Sequence, residues 1–167
     1  MRVAVVSDTH MAHKAVAIPE ADVLVHAGDF CGRGTLAEVE AFAAYFRAQP
    51  HPYKILIAGN HDWPLERDAA EAEALLEGCG YLRDSSVLIE GVLFYGSPWQ
   101  PRFLDWAFNL DRGELLAAKW RAIPDETDVL ITHGPPRGIG DLCFSGDHAG
   151  CDDLLARVRE VKPRYHL

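Results

Sequence analysis

No Cys-x-x-Cys pair and no zinc-finger spacing occurs among the four cysteines, Cys31, Cys79, Cys143 and Cys151. The sequence therefore offers neither a thiolate metal site nor a disulfide framework, and free thiols of a cytoplasmic protein are the expectation. Basic residues are also scarce. Sixteen Lys and Arg against 25 Asp and Glu leave a net charge of −9, whereas nonspecific nucleic-acid binding needs a basic surface that displaces counterions. No apolar run approaches the roughly 20 residues of a membrane helix. The stretch before Asp8 is too short for a signal-peptide core, so no membrane partner is expected. Repeats, low-complexity tracts and an interdomain linker are all missing.

What remains fits one domain. A chain of 167 residues with 49% hydrophobic content can bury a sizeable core. Apolar runs read as strands over Arg2 to Ser7, Val23 to Ala27 and Tyr53 to Ala58. Leu36, Val39, Phe42, Ala43 and Phe46 recur at helical spacing, so a helix is predicted from Leu36 to Gln49. Thr35 and Glu38 form a capping box at its start, and Pro50 and Pro52 stop it. Pro64 opens a second predicted helix to about Glu77, ended by Gly78 and Gly80. Glu90-Gly91 between Val87–Ile89 and Val92–Tyr95 reads as a tight hairpin. The aromatic segment from Ser97 to Asn109 fits neither period and is read as a structured loop. Arg112 to Ala122 is a predicted helix, Val129 to Thr132 a strand, Cys151 to Val161 a helix and Tyr165 to Leu167 the start of a strand.

Metal-binding residue types recur where these strands stop. Asp8-Thr9-His10 follows the first strand, Gly28-Asp29 the second, Gly59-Asn60-His61-Asp62 the third, and Thr132-His133-Gly134 the strand from Val129. Singly, each is a common turn residue. Together, at successive strand ends, they can converge on one point, where open α/β sheets place their sites. Carboxylate, imidazole and amide donors without thiolate suit divalent Mn, Fe or Zn. A carboxylate such as Asp29 has two oxygens and can bridge two ions. His26 and His166 read as core residues, His13 as a wall of the site mouth and His51 as loop surface.

These motifs, D-x-H, G-D, G-N-H-D and a histidine strand end, resemble those of the calcineurin-like metallophosphoesterase superfamily. Gly96-Ser97-Pro98-Trp99-Gln100-Pro101, Trp106-Ala107-Phe108-Asn109 and Thr132-His133-Gly134-Pro135-Pro136 look like its brain-type members and their bacterial relatives. The resemblance implies an α/β fold of two facing mixed sheets flanked by helices. It also implies two divalent ions, Mn first and Fe or Zn as alternatives. Asp8, His10 and Asp29 would hold one ion; Asp29, Asn60 and His133 would hold the other. The implied activity is that of a metal-dependent phosphoric ester hydrolase. A metal-bridging hydroxide would attack small phosphodiesters such as cyclic nucleotides, with His61 as general acid and Arg33 contacting the substrate phosphate. Asp62 would either orient His61 or cap the next helix. The superfamily's G-H-x-H motif is not present, and the expectation is that the sequence stops just short of it, together with the last strands of the second sheet. The competing expectation is a non-catalytic metal- or nucleotide-binding module of the same fold.

Overall fold

The computed structural model describes residues 1–167. Strands β1 (Val3–Val6), β2 (Val23–His26) and β3 (Tyr53–Leu56) form a parallel sheet in that order. Val6 pairs with His26 and His26 with Leu56, so the carboxyl ends of all three strands lie level. A second, mixed sheet runs β4 (Ser85–Ile89), β5 (Val92–Ser97), β8 (Val129–Thr132) and β9 (Tyr165–His166). There Ser97 pairs with Thr132, which places His133 just beyond the end of β8. The first sheet is thus wholly parallel, and only the second is mixed. Parallel strands need crossover connections, and α1 (Leu36–Arg47) supplies the one between β2 and β3.

Alternation along the strands dictates the layering. Leu24 and Leu56 face outward onto Val39, Phe42, Ala43 and Phe46 of α1, while Val23, Val25, Ile55 and Ile57 face inward. The inward set meets Phe94, Val129 and Ile131 of the second sheet. On the far side, Tyr95 and Leu130 pack against Leu116 and Trp120 of α4 (Glu114–Arg121) and Leu154 of α5 (Asp152–Val161). The order helix, sheet, sheet, helix is the one the resemblance implied.

Local chemistry sets most boundaries where the sequence placed them. Thr35 and Glu38 form the full capping box of α1, and Glu90 and Gly91 both take positive φ (48° and 80°) in the hairpin turn, as a type I′ turn requires. The predicted helix from Pro64 to Glu77 instead breaks in two. It becomes α2 (Pro64–Arg67) and α3 (Ala69–Leu75), with Asp68 at φ −122° and ψ 42° between them. Aspartate is a weak helix former, and the Arg67 guanidinium stacks 3.7 Å over Trp63 at the break. The structured loop contains a small parallel pair, β6 (Gln100–Pro101) with β7 (Asn109–Leu110), too short to leave any period in the sequence. No helix is long and apolar enough to cross a membrane.

The segment after β8 is held by Asp141. Its buried carboxylate accepts the Gly138 and Gly150 amides at 2.9 and 3.1 Å and pairs with His148 at 2.7 Å. His148 is thereby engaged in the loop. Burial alone would raise the Asp141 carboxyl, but the Gly138 amide, His148 and the Gly150 amide outweigh it and hold it at about 2. Because that value lies below the roughly 3.9 of an unfolded chain, the stabilisation is complete above about pH 4 and fades as pH falls toward 2. The melting-temperature gap between the native protein and Asp141→Asn is expected to narrow over that window. A constant gap would contradict this role.

Candidate metal centre

The loops after β1 and β2 are zipped together by their own backbones. Asp8 N–H donates to Gly28 O, His10 N–H to Asp29 O and Met11 N–H to Phe30 O, at 2.9–3.0 Å. Asp8, His10, Met11 and Asp29 all take positive φ, from 41° to 67°. Each such conformation costs a non-glycine residue about 1–3 kcal/mol and persists only where the surroundings enforce it. Here the strain turns side chains at the strand ends toward one point.

Asp62 enforces the arrangement. Fully buried, it accepts Asp29 N–H and Gly59 N–H on Oδ2 (2.9 and 2.7 Å) and Cys31 N–H on Oδ1 (2.8 Å). Burial pushes its carboxyl up to about 6, opposed by the amides of Gly59 and Cys31. It neither orients His61 nor caps the following helix: it ties the Asp29 loop to the Asn60 loop. Neither expected role anticipated this, because all three partners are backbone groups. Glu38 acts similarly beyond Asp29, accepting the amides of Arg33, Gly34 and Thr35.

Asp29 sits at the centre of two groups of possible metal ligands. One is Asp29 with His10 and His61, the other Asp29 with Asp8 and His133; each set of donor atoms lies within 4.8 Å. Asp29 Oδ2 faces His10 Nε2 at 3.8 Å and His61 Nε2 at 4.0 Å, while Oδ1 faces His133 Nε2 at 3.5 Å. Asn60 Oδ1 lies 3.1 Å from His133 Nε2. The structure therefore brings together Asp8, His10, Asp29, Asn60, His61 and His133, six of the seven residues expected at the site, Arg33 being the seventh. It also sets His61, expected only as a proton donor, beside His10.

Each imidazole is anchored from behind. His10 Nδ1 meets Cys31 O at 3.1 Å, His61 Nδ1 meets Gly32 O at 3.2 Å and His133 Nδ1 meets Ala27 O at 2.9 Å. A carbonyl can only accept, so Nδ1 carries the hydrogen and Nε2 is the nitrogen that turns inward, as in ligating histidines. Asp29 Oδ1, Asn60 Oδ1 and His133 Nε2 crowd one another, and only a proton or a cation among them reconciles three lone pairs. Burial alone would lower His133, yet the Asp29 carboxylate reverses this and raises it to about 9. Burial likewise opposes ionisation of Asp29, but His133 and His61 outweigh it and its carboxyl moves down. This donor set fits divalent cations.

Glycine is required where loops meet. A Cβ on Gly59 would lie 2.5 Å from Asp29 N and 2.7 Å from His133 Cε1. Gly59→Ala is accordingly expected to cost about 1–3 kcal/mol, the range for overpacking a filled site. A thermal melt several degrees lower, with weakened metal binding, is the expected outcome; an unchanged melt would contradict the close approach.

The remaining expectations divide. His26 is a core residue, hydrogen-bonded to Thr9 at 3.0 Å and lowered to about 3 by burial. His166 is lowered to about 4 by burial and meets Thr132 at 2.8 Å. His51 is not loop surface: it is buried, with Nε2 3.0 Å from Pro19 O. His13 is buried against Phe42 and Tyr45 and does not wall the site mouth. Arg33 is exposed on the loop beyond Asp29. Trp106, which the sequence offered only within the Trp106-Ala107-Phe108-Asn109 motif and without a role, packs at a tilt against His61, with ring centroids 4.2 Å apart and planes at 33°. Beside Asn60 and Gly134 opens a cleft of about 370 Å³, walled by Gln100, Phe103, Arg112 and Ser145 among others.

A family model described as calcineurin-like phosphoesterase matches residues 1–166. Metallophosphoesterase domain-containing protein 1 of Homo sapiens is 40% identical over 187 residues, covering 97% of this chain and 57% of that protein. A UPF0046 protein of Caenorhabditis elegans is 38% identical over 181 residues, covering 100% of this chain and 62% of its own length. The chain thus spans about three-fifths of the curated relatives it matches. The crystal structure of TT1561 of Thermus thermophilus superposes with a TM-score of 0.63 at 15% identity, covering 97% of this chain and 78% of that one. That likeness is one of fold.

Proposed function

The chain belongs to the calcineurin-like phosphoesterase family, and from that membership and the site we propose that it hydrolyses phosphodiesters with two divalent ions, Mn first among them. The observation that carries this reading is the Asp29 carboxylate, which faces three imidazoles and belongs to both ligand groups. The resemblance would put Asp8, His10 and Asp29 on one ion and Asp29, Asn60 and His133 on the other, whereas the geometry groups His10 with His61 and Asp8 with His133 around the same Asp29. When bound, such ions neutralise phosphoryl charge and supply an activated water.

The chain's own residues do the rest. His61, with Nδ1–H held by Gly32 O, would act from its doubly protonated form: the Nε2 proton passes to the leaving oxygen and leaves the neutral Nδ1–H imidazole. Asp62 keeps the Asp29 and Asn60 loops in register. The cleft beside Asn60 receives the leaving group, and exposed Arg33 meets the phosphate from the opposite loop. Small phosphodiesters, cyclic nucleotides included, are the substrate class this reading favours.

The distance of 4.0 Å between His61 Nε2 and Asp29 Oδ2 favours a second role for His61, as a ligand. Metal content separates the two: His61→Ala retains both ions if it is the proton donor and loses affinity if it is a ligand. Turnover is tested with metal-stripped protein and a chromogenic phosphodiester. Mn-dependent hydrolysis is expected; no turnover with any divalent ion would leave the non-catalytic binding module as the reading.

A further inference from the structure

We propose that Trp106 is a positioning residue for His61, holding its imidazole in the orientation that delivers a proton to the leaving oxygen. The inference rests on the proposed role of His61 as the proton donor.

Trp106 stands apart from the other tryptophans. Trp120 lies inside a hydrophobic cluster, and Trp63 and Trp99 pack against one. Trp106 belongs to none of the three clusters and is half-buried. Its aromatic neighbour is His61, at 4.2 Å between centroids and 33° between planes. His10 meets the same imidazole edge-on at 4.5 Å and 73°. The His61 ring is therefore bounded by an indole and by a candidate metal ligand.

The chain around Trp106 is built to hold it there. Ala107 and Phe108 are fully buried, and Ala107 N–H donates to Asn60 O at 3.1 Å. The aromatic segment is thus fastened to the residue preceding His61. Phe108 takes φ 56°, a left-handed conformation that is a real strain for a bulky side chain. Strain of that kind is kept where surrounding structure over-determines it. Here it turns Phe108 toward Trp99 (5.5 Å, edge-on) while its neighbour Trp106 covers His61.

The physical need is clear from the imidazole's other restraint. Its one anchoring hydrogen bond, Nδ1 to Gly32 O, is 3.2 Å long, at the outer limit for such bonds. A single bond leaves the ring free to swing about it. An indole against the ring removes that freedom and excludes water from one side.

The test is a double-mutant cycle on the Mn-loaded protein, with two phosphodiesters that differ in leaving group. An alkoxide needs protonation to depart, whereas p-nitrophenolate does not. Trp106→Ala should lower kcat for the alkyl ester by between about 10- and 100-fold, the scale of a group misplaced by about 1 Å. KM and p-nitrophenyl ester hydrolysis should change little, and Trp106→Phe should recover most of the loss. In a His61→Ala background, Trp106→Ala should cost less than about twofold more, because both act through one proton transfer. Equal losses on both esters, or full additivity with His61→Ala, would overturn the proposal. Wild-type protein that hydrolyses neither ester would instead overturn the phosphodiesterase reading. The contact itself is then still decided by NMR of the metal-free protein: the His61 proton shifts should move when Trp106→Ala removes the indole ring current, and unchanged shifts would overturn the placement.

Discussion

Asp29→Asn yields a protein that folds normally and retains neither ion. Asparagine keeps an oxygen to accept His61 N–H, which Asp29 Oδ1 does at 2.7 Å, so the loop keeps its shape. What disappears is the charge and the second oxygen that faces His10 and His61. An amide nitrogen in that position turns hydrogens toward the nitrogens that should bind metal. Loss of an outer partner of a ligand typically costs about 10–100-fold in affinity, and loss of the shared carboxylate should cost more, at least about 100-fold for both ions together. Equilibrium dialysis against Mn²⁺ measures this. A variant that releases one ion and keeps the other at native affinity would show that Asp29 is not shared.

Asp62→Ala has the opposite signature, a large loss of stability. Removing the carboxylate strands three amides, those of Asp29, Cys31 and Gly59, where water cannot reach. Each buried unsatisfied group costs about 1–3 kcal/mol, so the total for three is roughly 3–9 kcal/mol out of the 5–15 typical of a domain. At about 2–4 °C per kcal/mol for a chain of this size, the melt should fall by roughly 6–36 °C. Asp62→Asn, which keeps one acceptor oxygen, should lie between. Metal affinity should drop with it, since Asp29 loses the bond that fixes its backbone. A melt within a degree or two of the native one would contradict the bracing role.

The contrast between these residues shows what can be read from a sequence. Asp8, His10, Asp29, Asn60 and His133 were legible because each follows an apolar run, and ligands at level strand ends must converge. The capping box at Thr35 and Glu38 and the turn at Glu90-Gly91 were legible because their chemistry is local. Asp62 was visible as a residue but not in its role, because its partners are backbone amides from three separate loops. Trp106 was visible in a motif but not in its role: aromatics in an irregular segment look alike, and only tertiary packing separates Trp99 and Phe108 in the core from Trp106 on His61. His51 misled for the same reason, since its carbonyl partner, Pro19, lies 32 residues away. The break at Asp68 lay within a pattern whose apolar spacing continued through it.

The central claim is a pair of metal ions sharing Asp29, and electron paramagnetic resonance of the protein titrated with Mn²⁺ tests it most directly. A shared Asp29 requires two ions per chain and the multiline spectrum of a spin-coupled pair, as expected for ions about 3.5–4 Å apart, with Asp29→Asn removing the coupling. A six-line spectrum from a single isolated ion, or two uncoupled ions unaffected by Asp29→Asn, would contradict it.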